Sequence, residues 1–298
     1  MKRYSSNWYW FYVINYSLVI IIIFPIYWTF ISSIKQPSEL NGNPTFYPKT
    51  ITLEYYDRIW NFDRQERLED TDAKDLDTYL RGTGIQRPFI NSAIVSIGTI
   101  LVTIVVCTLA AYSLSILKTP LKNFIFMLMI LPILIPGISL IIPLYKLMRE
   151  LNLVDTHFGL VFLHSTAMLP LGIFMMRNAF MSIPSTLREV AMLEGSSELK
   201  IIFNVMLPLA VPGLLTVAVF AMYVSWNDYI YAFLFINKPE NTMLNLALKQ
   251  LAISDNQFGL KWGDLTAGSV VSFIPIIIFY GFLQKYFVRG VTGSAVKE

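Results

Sequence analysis

The sequence predicts an all-α integral membrane protein with six transmembrane helices. Of its 298 residues, 55% are hydrophobic and 14% are charged, and the mean hydropathy is +0.54. A soluble globular domain carries about 25% charged residues. A span needs about 20 mostly apolar residues. The stretches long enough are residues 9–34, 88–117, 121–148, 157–181, 209–236 and 265–287.

The first apolar run, WFYVINYSLVIIIIFPIYWTF, predicts a retained helix. It is too long for the core of a signal peptide and is not followed by a small-residue cleavage site. Residues 1–34 are therefore interpreted as the N-terminus and first span. Residues 35–87 are interpreted as an extracytoplasmic loop, with a charged insertion near 61–87 and a short helix around Leu76 to Leu80.

The distribution of Lys and Arg favours a cytoplasmic N-terminus and C-terminus. With that orientation the outside holds 13 basic residues and the inside 10, but eight of the 13 lie in the loop 35–87. Long loops are translocated largely regardless of charge, so the short loops decide. The remaining spans then form a five-helix core over residues 88–288, followed by a cytoplasmic tail, 289–298.

The third span, which contains ILPILIPGISLIIPLYKLM, is expected to be kinked. Pro132, Pro136 and Pro143 free backbone groups that lipid cannot satisfy. Two interpretations are consistent with this pattern: a static kink, or a breakable helix that moves as part of a pathway. Because Cys107 is the single cysteine, an internal disulfide is excluded, and we expect its side chain to be an inert packing residue within a span.

A polar segment, residues 184–208, separates the fourth and fifth apolar runs. Thr186 and Glu189 fit the S/T-x-x-E capping box, which predicts a helix beginning near Leu187. Leu187, Ala191, Gly195 and Leu199 recur at steps of four and are expected to share one helix face. Gly195 is expected either to bend the segment or to allow close contact. The predicted shape is a two-part helical finger.

From Glu189 to Pro208 the segment resembles a family signature. Glu189-Val-Ala, three residues, Gly195, nine residues and Val205-x-Leu207-Pro208 resemble the E-A-A-x3-G-x9-I-x-L-P motif of permease subunits of bacterial ATP-binding-cassette importers. Two positions depart from the motif, Val190 for Ala and Val205 for Ile. In that family the segment is a coupling helix that docks on a separate ATPase subunit.

Three further stretches resemble the carbohydrate-uptake branch, in particular the second maltose-type inner-membrane permease. Residues 141–160 resemble P-L-Y…L-G-L-x-N-T, with Asn152 for Gly and Asp155 for Asn. SWNDYIYAFLF resembles the W-N-E-F segment, and QKYFVRGVTGSAVKE resembles the Q-R-Y-F-V-x-G-L-T-x-G-A-V-K ending. The likeness extends from about residue 9 to 298, except over the charged insertion.

The resemblance implies a transport subunit, not an enzyme, in the bacterial cytoplasmic (inner) membrane. It implies a homologous second permease, two ATPase subunits that bind ATP and Mg, and an extracytoplasmic solute-binding protein that delivers a sugar or oligosaccharide. No cofactor or metal is expected on this chain. The residues implied in ATPase coupling are Leu187, Glu189, Ala191, Gly195, Leu199, Leu207 and Pro208.

A second polar cluster near the end of the fifth span is the candidate substrate pathway. An ionisable residue inside a span usually faces a cavity, which singles out Asp228. Asn and Asp can bond sugar hydroxyls, and Trp and Tyr offer flat apolar faces. The competing interpretation is an aromatic belt at the outer interface. The candidate residues are Trp226, Asn227, Asp228, Tyr229 and Tyr231.

Two other function classes remain open at this stage. One is an importer for another solute, such as a polyamine or phosphate. The other is a membrane-embedded enzyme acting on glycans or lipids, with Asp228 and an acid from the long loop. No P-loop or H-E-x-x-H motif is present. The two histidines, His157 and His164, are expected to be interfacial or packed in the bundle.

Overall fold

The computed structural model describes residues 7–40, 42, 45–61, 84–253 and 262–295. Their backbone is helical apart from turns, loops and an isolated bridge between Lys35 and Ile51. The helix predicted near Leu76 to Leu80 lies outside these residues. In chain order the α-helices are α1 (Asn7–Ser33), α2 (Pro37–Leu40), α3 (Glu54–Asn61), α4 (Gln86–Ser115), α5 (Lys122–Ile130), α6 (Ile141–Glu150), α7 (His157–Met181), α8 (Ser185–Leu193), α9 (Glu198–Ile201), α10 (Leu207–Leu209), α11 (Val211–Trp226), α12 (Ile230–Phe235), α13 (Leu244–Ile253) and α14 (Trp262–Ala295).

Among the described residues, four helices are long and apolar enough to cross a membrane. They are Tyr9–Ser33 in α1, the whole of α4 and α7, and Trp262–Gln284 in α14. Two bent helix pairs bring the number to six if each pair is one span. The coarse prediction of an all-helical membrane fold is therefore confirmed. Beyond the predicted sixth span, α14 continues helically to Ala295.

The third predicted span is interrupted, as its prolines indicated. Lys122–Leu134 and Gly137–Glu150 meet at 95°. Each side of the break contains a 3-10 turn, Leu131–Leu134 and Gly137–Leu140. Between them Ile135 is extended, with φ −90° and ψ 121°, because the ring of the following proline disfavours helical backbone.

The fifth predicted span, 209–236, is wrong as one continuous helix. Glu198–Leu209 and Val211–Trp226 meet at 82°, with a π-helical turn at Ile202–Met206 just before the bend. A second interruption separates α11 from α12, because the Asp228 carboxylate accepts the N–H groups of Tyr231 and Ala232 and starts a new helix. Local side-chain capping therefore overrides the apolar pattern at this point.

The described residues fall into two compact units, residues 1–87 with 247–274, and residues 88–246 with 275–298. In the first, Arg58 of α3 forms a 2.6 Å ion pair with Asp264 of α14, whose side chain is 5% exposed. Gly263 beside it lies against the Tyr55 ring. Part of the segment predicted as an extracytoplasmic loop, residues 35–87, is thus a packed helix, α3.

In the second unit the core lies between α4, α7 and α11. Its buried members include Cys107, Tyr112, Phe180, Met206 and Val217. Cys107 is free and fully buried, as the packing prediction required. A Cβ at Gly172 of α7 would lie 2.6 Å from the Cys107 sulfur, so the small residue sets the approach of the two helices.

Replacing Gly159 of α7 by alanine is expected to destabilise the protein. A Cβ at Gly159 would lie 2.1 Å from the Leu153 carbonyl oxygen, and overpacking of this kind costs about 1–3 kcal/mol. The unfolding temperature of the detergent-purified protein should fall. Gly281→Ala is the control: no atom of the described residues lies within 4 Å of its added Cβ, and alanine favours the helix. Equal unfolding temperatures for the two variants would contradict the close approach.

Candidate functional site

We call residues 185–201 the finger; they comprise α8, a turn and α9. The predicted capping box of Thr186 and Glu189 is not formed. The helix begins at Ser185 rather than near Leu187, with Pro184 at the N-cap and no side-chain cap bond. Proline fixes the backbone angle at the entry, so the helix starts earlier than expected. Glu189 is left exposed in the middle of α8.

Gly195 forms the turn of the finger. Its φ is +78°, its N–H bonds to the Met192 carbonyl at 3.0 Å, and the next N–H, of Ser196, bonds to the Ala191 carbonyl at 3.0 Å. This is the Schellman helix end, which favours glycine because of its left-handed backbone. No atom lies within 4 Å of a Cβ at this position. The bend prediction for Gly195 is therefore confirmed, and none of the described residues approaches it closely.

The predicted shared face at steps of four is wrong, because α8 ends at Leu193 and Leu199 belongs to α9. Ala191 is buried in the core of the second unit, whereas Leu187 and Leu199 are exposed. The finger instead presents separate apolar side chains to its surroundings: Leu187, Val190, Met192, Leu193 and Leu199, with Leu193 89% exposed. After the π-helical turn, Leu207 is half-buried and Pro208 is exposed in α10.

An ion pair joins the two helices of the finger. Arg188 of α8 donates to both carboxylate oxygens of Glu198 of α9, at 3.4 Å from Nε to Oε2 and closer from Nη2 to Oε1. The bond to Glu198 raises the pKa of the Arg188 guanidinium above its usual value, so the arginine stays charged. Tyr112 of α4 donates its hydroxyl to Glu198 Oε2 at 2.6 Å.

This contact ties the finger to the bundle. Tyr112 is 1% exposed, and its ring meets Phe180 of α7 edge-on at 5.7 Å. Sequence reasoning missed Tyr112 and Glu198 as partners, because they lie 86 residues apart. The only local sign of the ion pair was that Arg188 and Glu198 lie on opposite sides of Gly195 in the sequence.

The second candidate site is a cavity of about 510 Å³, which we call the Asp228 cavity. Its walls come from the break in the third span, from α7, from the end of α11 and from the start of α12. The lining residues are Gly137, Ile138, Ile141, His164, Val224, Asn227, Asp228, Tyr229, Ile230 and Tyr231.

Asp228 is held by three groups. Its Oδ1 accepts the N–H of Tyr231 at 3.1 Å, and its Oδ2 accepts the N–H of Ala232 at 2.9 Å. His164 Nε2 lies 3.5 Å from Oδ2, and the two side chains are 1% and 9% exposed, His164 first. His164 also packs edge-on against the Tyr231 ring at 5.6 Å. The predicted packing of His164 in the bundle thus places it at the cavity.

Four of the five predicted pathway residues line this cavity; Trp226 does not. It is 2% exposed, and its ring meets Phe89 edge-on at 5.5 Å. Its carbonyl accepts the Asn245 side-chain amide at 2.9 Å. Trp226 therefore belongs to the core, and the sequence cluster mixes a packing residue with cavity residues.

Two departures from the family pattern have a backbone explanation. Asn152 stands where the pattern has Gly and has φ 55°; Asp155 stands where it has Asn and has φ 63°. Asn and Asp adopt this left-handed region more readily than other non-glycine residues. Asp155 Oδ1 also accepts the N–H groups of Asn237 and Lys238. Both residues therefore suit the left-handed backbone that the chain adopts at these positions.

Within the described ranges no three His, Cys, Asp or Glu side chains are grouped as metal ligands. The finger offers an apolar surface and, behind it, the contacts of Arg188 and Tyr112 with Glu198, which we call the clamp. The Asp228 cavity offers hydrogen-bonding and aromatic groups between several helices. Both regions belong to the second compact unit.

Comparison with known proteins gives a consistent result. The family model described as binding-protein-dependent transport system inner membrane component matches residues 103–293. The inner membrane ABC transporter permease protein YcjP of Escherichia coli is 30% identical over 94% of this chain and 92% of its own. The trehalose transport system permease protein SugB of Mycobacterium tuberculosis is 30% identical over 96% of this chain and 94% of its own.

A solved structure shares the fold. It is a bacterial ABC transporter involved in the import of the acidic polysaccharide alginate, and it aligns with a TM-score of 0.78 at 24% identity. The alignment covers 96% of this chain and all of the compared chain.

Removing the clamp should loosen the finger without unfolding the bundle. Glu198→Gln removes the negative charge to which both Arg188 and Tyr112 donate. Since the ion pair is partly exposed, we expect the free energy that holds the finger closed to fall by about 1 kcal/mol. Hydrogen exchange at residues 188–199 should then accelerate by about fivefold. Glu194→Gln, at the exposed end of α8, is the matched control. Unchanged exchange in Glu198→Gln would rule out a stabilising role for the clamp.

Proposed function

Because this chain belongs to the inner membrane components of binding-protein-dependent transport systems, we propose that it is one of two permease subunits of an ATP-driven sugar importer. It receives a sugar or oligosaccharide from an external binding protein and passes it to the cytoplasm by alternating access. Two ATPase subunits, which bind ATP and Mg, supply the energy. The chain itself catalyses no reaction.

The observation that carries this proposal is the finger. Its apolar side chains are exposed in the described part of the chain, and Leu193 is the most exposed at 89%. A rigid helix of this kind, set between two membrane segments, suits insertion into a groove of a partner protein. The ATPase is the partner that the family requires, and the coupling role of Leu187, Glu189, Ala191, Gly195, Leu199, Leu207 and Pro208 is part of this proposal.

Individual residues contribute differently to the proposed coupling. Leu187 and Leu199 face outward and contact the ATPase, and exposed Glu189 pairs with one of its basic residues. Ala191 is buried and seats α8 on the bundle. Gly195 sets the turn that orients the two helices.

The clamp gives the finger a mechanical connection. A force on α8 passes through Arg188 and Glu198 to Tyr112 of α4, and Ala191 and Ile201 share the same buried core. Closure of the ATPases then moves the finger and the attached helices together. Such coupling requires that the outward and inward states differ in contact free energy at this site.

The proposed orientation is N-in and C-in, with the finger in the cytoplasm. The short-loop excess of basic residues supports it. The extracytoplasmic surfaces are then residues 35–87 and residues 237–264, and these are the surfaces available to the binding protein. The charged insertion near 61–87 lies mostly outside the described residues.

The Asp228 cavity is the proposed sugar pathway in this subunit. Asn227 and Asp228 offer hydrogen-bonding atoms, and Tyr229 and Tyr231 add aromatic faces. The trehalose permease and the alginate importer named above support a saccharide as the solute class. A cavity of about 510 Å³ lies within the usual range of small-molecule sites, about 300–1,000 Å³.

Co-purification from the native membrane tests the assembly. We expect an ATPase and a second permease to accompany this chain, and a glycan to raise ATP hydrolysis only in the presence of a binding protein. If the chain purifies without an ATPase after cross-linking and mild solubilisation, the proposed coupling role of the finger is contradicted.

Glu189→Gln is expected to lower glycan-stimulated ATP hydrolysis by about tenfold, because it removes the proposed charge contact with the ATPase. Co-purification of the ATPase and the transport rate are measured together. Glu194→Gln makes the same charge change at a nearby exposed position and should retain parental hydrolysis. Equal rates in the two variants, with normal assembly, would show that Glu189 makes no such pair.

A further inference from the structure

We infer that a second cavity, in the first compact unit, binds the headgroup of a zwitterionic phospholipid. Its volume is about 350 Å³, and we call it the Lys35 cavity. Its walls come from the end of α1, from the segment that follows α1 and from the start of α14. The inference does not depend on which solute the transporter carries. The lining residues are Trp28, Thr29, Ser32, Lys35, Glu39, Leu40, Gly42, Trp262 and Thr266.

The Lys35 cavity lies at the ends of two candidate membrane spans. The span Tyr9–Ser33 ends beside it, and the span Trp262–Gln284 begins there. Trp28, in the last two turns of α1, and Trp262, the first residue of α14, both line the cavity. Tryptophan is enriched where a bilayer meets water. The cavity is therefore at the depth of lipid headgroups, in the outer leaflet if the N-terminus is cytoplasmic.

Lys35 is a buried cation in the wall of this cavity. It is 2% exposed; its Nζ donates to the Thr45 carbonyl and lies 4.7 Å from the centre of the Trp28 ring. Among the described residues, no Asp or Glu forms an ion pair with it. An ammonium has three N–H donors, and a buried charge is costly unless it is paired. A phosphodiester oxygen would supply the missing negative charge, as in other basic pockets between transmembrane helices.

Glu39 gives the same cavity a negative charge. Its Oε2 accepts the N–H of Lys49 at 3.0 Å, and its Oε1 accepts the N–H of Thr50 at 3.2 Å. The bond from Lys49 lowers the pKa of the Glu39 carboxyl below its usual value, so the carboxylate stays charged. It also stays partly exposed, so it attracts a cation. One positive and one negative side chain together suit a headgroup that carries a phosphate and an ammonium, and they disfavour a headgroup with a net negative charge.

The other groups around the cavity suit the ester and acyl parts of a lipid. Ser32 is 4% exposed, and its hydroxyl makes no hydrogen bond among the described residues, so it is available to an ester oxygen. Phe24, one turn before Trp28, is 45% exposed and its ring lies 6.0 Å from the Trp28 ring. Acyl chains below a bound headgroup would lie along this apolar side of α1. A free phosphate ester would lack that contact, which favours a lipid as the source of the headgroup.

The test measures phospholipid binding to the complete, delipidated transporter by native mass spectrometry. The probes are phosphatidylethanolamine, phosphatidylglycerol and diacylglycerol with the same acyl chains, and glycerophosphoethanolamine as the headgroup alone. Phosphatidylethanolamine should bind at least about tenfold more tightly than diacylglycerol or the free headgroup, and about threefold more tightly than phosphatidylglycerol. Tighter binding of phosphatidylglycerol, or equal binding of diacylglycerol or of the free headgroup, would overturn the inference.

Two variants assign the binding to the Lys35 cavity. Lys35→Gln keeps a donor for the Thr45 carbonyl but removes the charge, so the affinity for phosphatidylethanolamine should fall about tenfold. Glu39→Gln keeps a side-chain oxygen for the backbone N–H groups, and the preference for phosphatidylethanolamine over phosphatidylglycerol should disappear. Lys49→Gln makes the lysine change at an exposed position outside the cavity lining and is the control.

Parental lipid binding by both cavity variants, in assembled complexes, would contradict the inference, as would equal losses in Lys35→Gln and Lys49→Gln. Affinity for the external binding protein is measured on the same complexes. If Lys35→Gln weakens that affinity and leaves lipid binding unchanged, the cavity is a protein contact and the lipid assignment is wrong. Each of these results leaves the sugar importer untouched, because none of them depends on transport.

Discussion

The need to satisfy backbone hydrogen bonds at every helix break is the constraint on which both candidate functional regions depend. Lipid supplies no partners for free N–H and C=O groups. At the end of α11 the chain uses the Asp228 carboxylate to accept two N–H groups of α12. Outside the proposed membrane region, the end of α8 closes its own break, because the Gly195 turn returns two N–H groups to helix carbonyls. Asp228 and Gly195, both candidate functional residues, are thus also the residues that satisfy the backbone at these two helix ends.

A single helix connects the two regions. On α7, His164 faces Asp228, while Phe180 packs against Tyr112, the residue that holds Glu198 of the finger. These positions are sixteen residues apart, or about 24 Å along the axis at 1.5 Å per residue. Because α7 is among the most buried of the candidate spans, it forms a packed connection between the finger contact and the Asp228 cavity.

Much of the fold was readable from the sequence because apolar length and proline act locally. The six apolar stretches and the break near Pro136 follow from these two signals. The start of α8 did not follow, because Pro184 overrode the capping pattern of Thr186 and Glu189. The division of α11 from α12 was also missed, since Asp228 was interpreted as a pathway residue and not as a helix cap.

For the candidate sites, residue types were more predictable than contacts. Asn227, Asp228, Tyr229 and Tyr231 were identified from polarity inside an apolar run. The pairing of His164 with Asp228 spans 64 positions and that of Tyr112 with Glu198 spans 86. Contacts of this kind depend on helix packing, for which a single sequence holds no local signal. Trp226 was misplaced for the same reason, since indoles serve both cores and cavities.

The burial of Cys107 has a practical consequence for watching this transporter work. It is the only cysteine in the sequence, and the solvent does not reach it. Thiol reagents act on accessible thiolates, so the natural chain already behaves as an unreactive background. A cysteine introduced at exposed Leu193, or at a position beside the Asp228 cavity, would carry a fluorophore or spin label alone. Movements of the finger and of the walls of the Asp228 cavity can then be followed in the same otherwise unaltered protein.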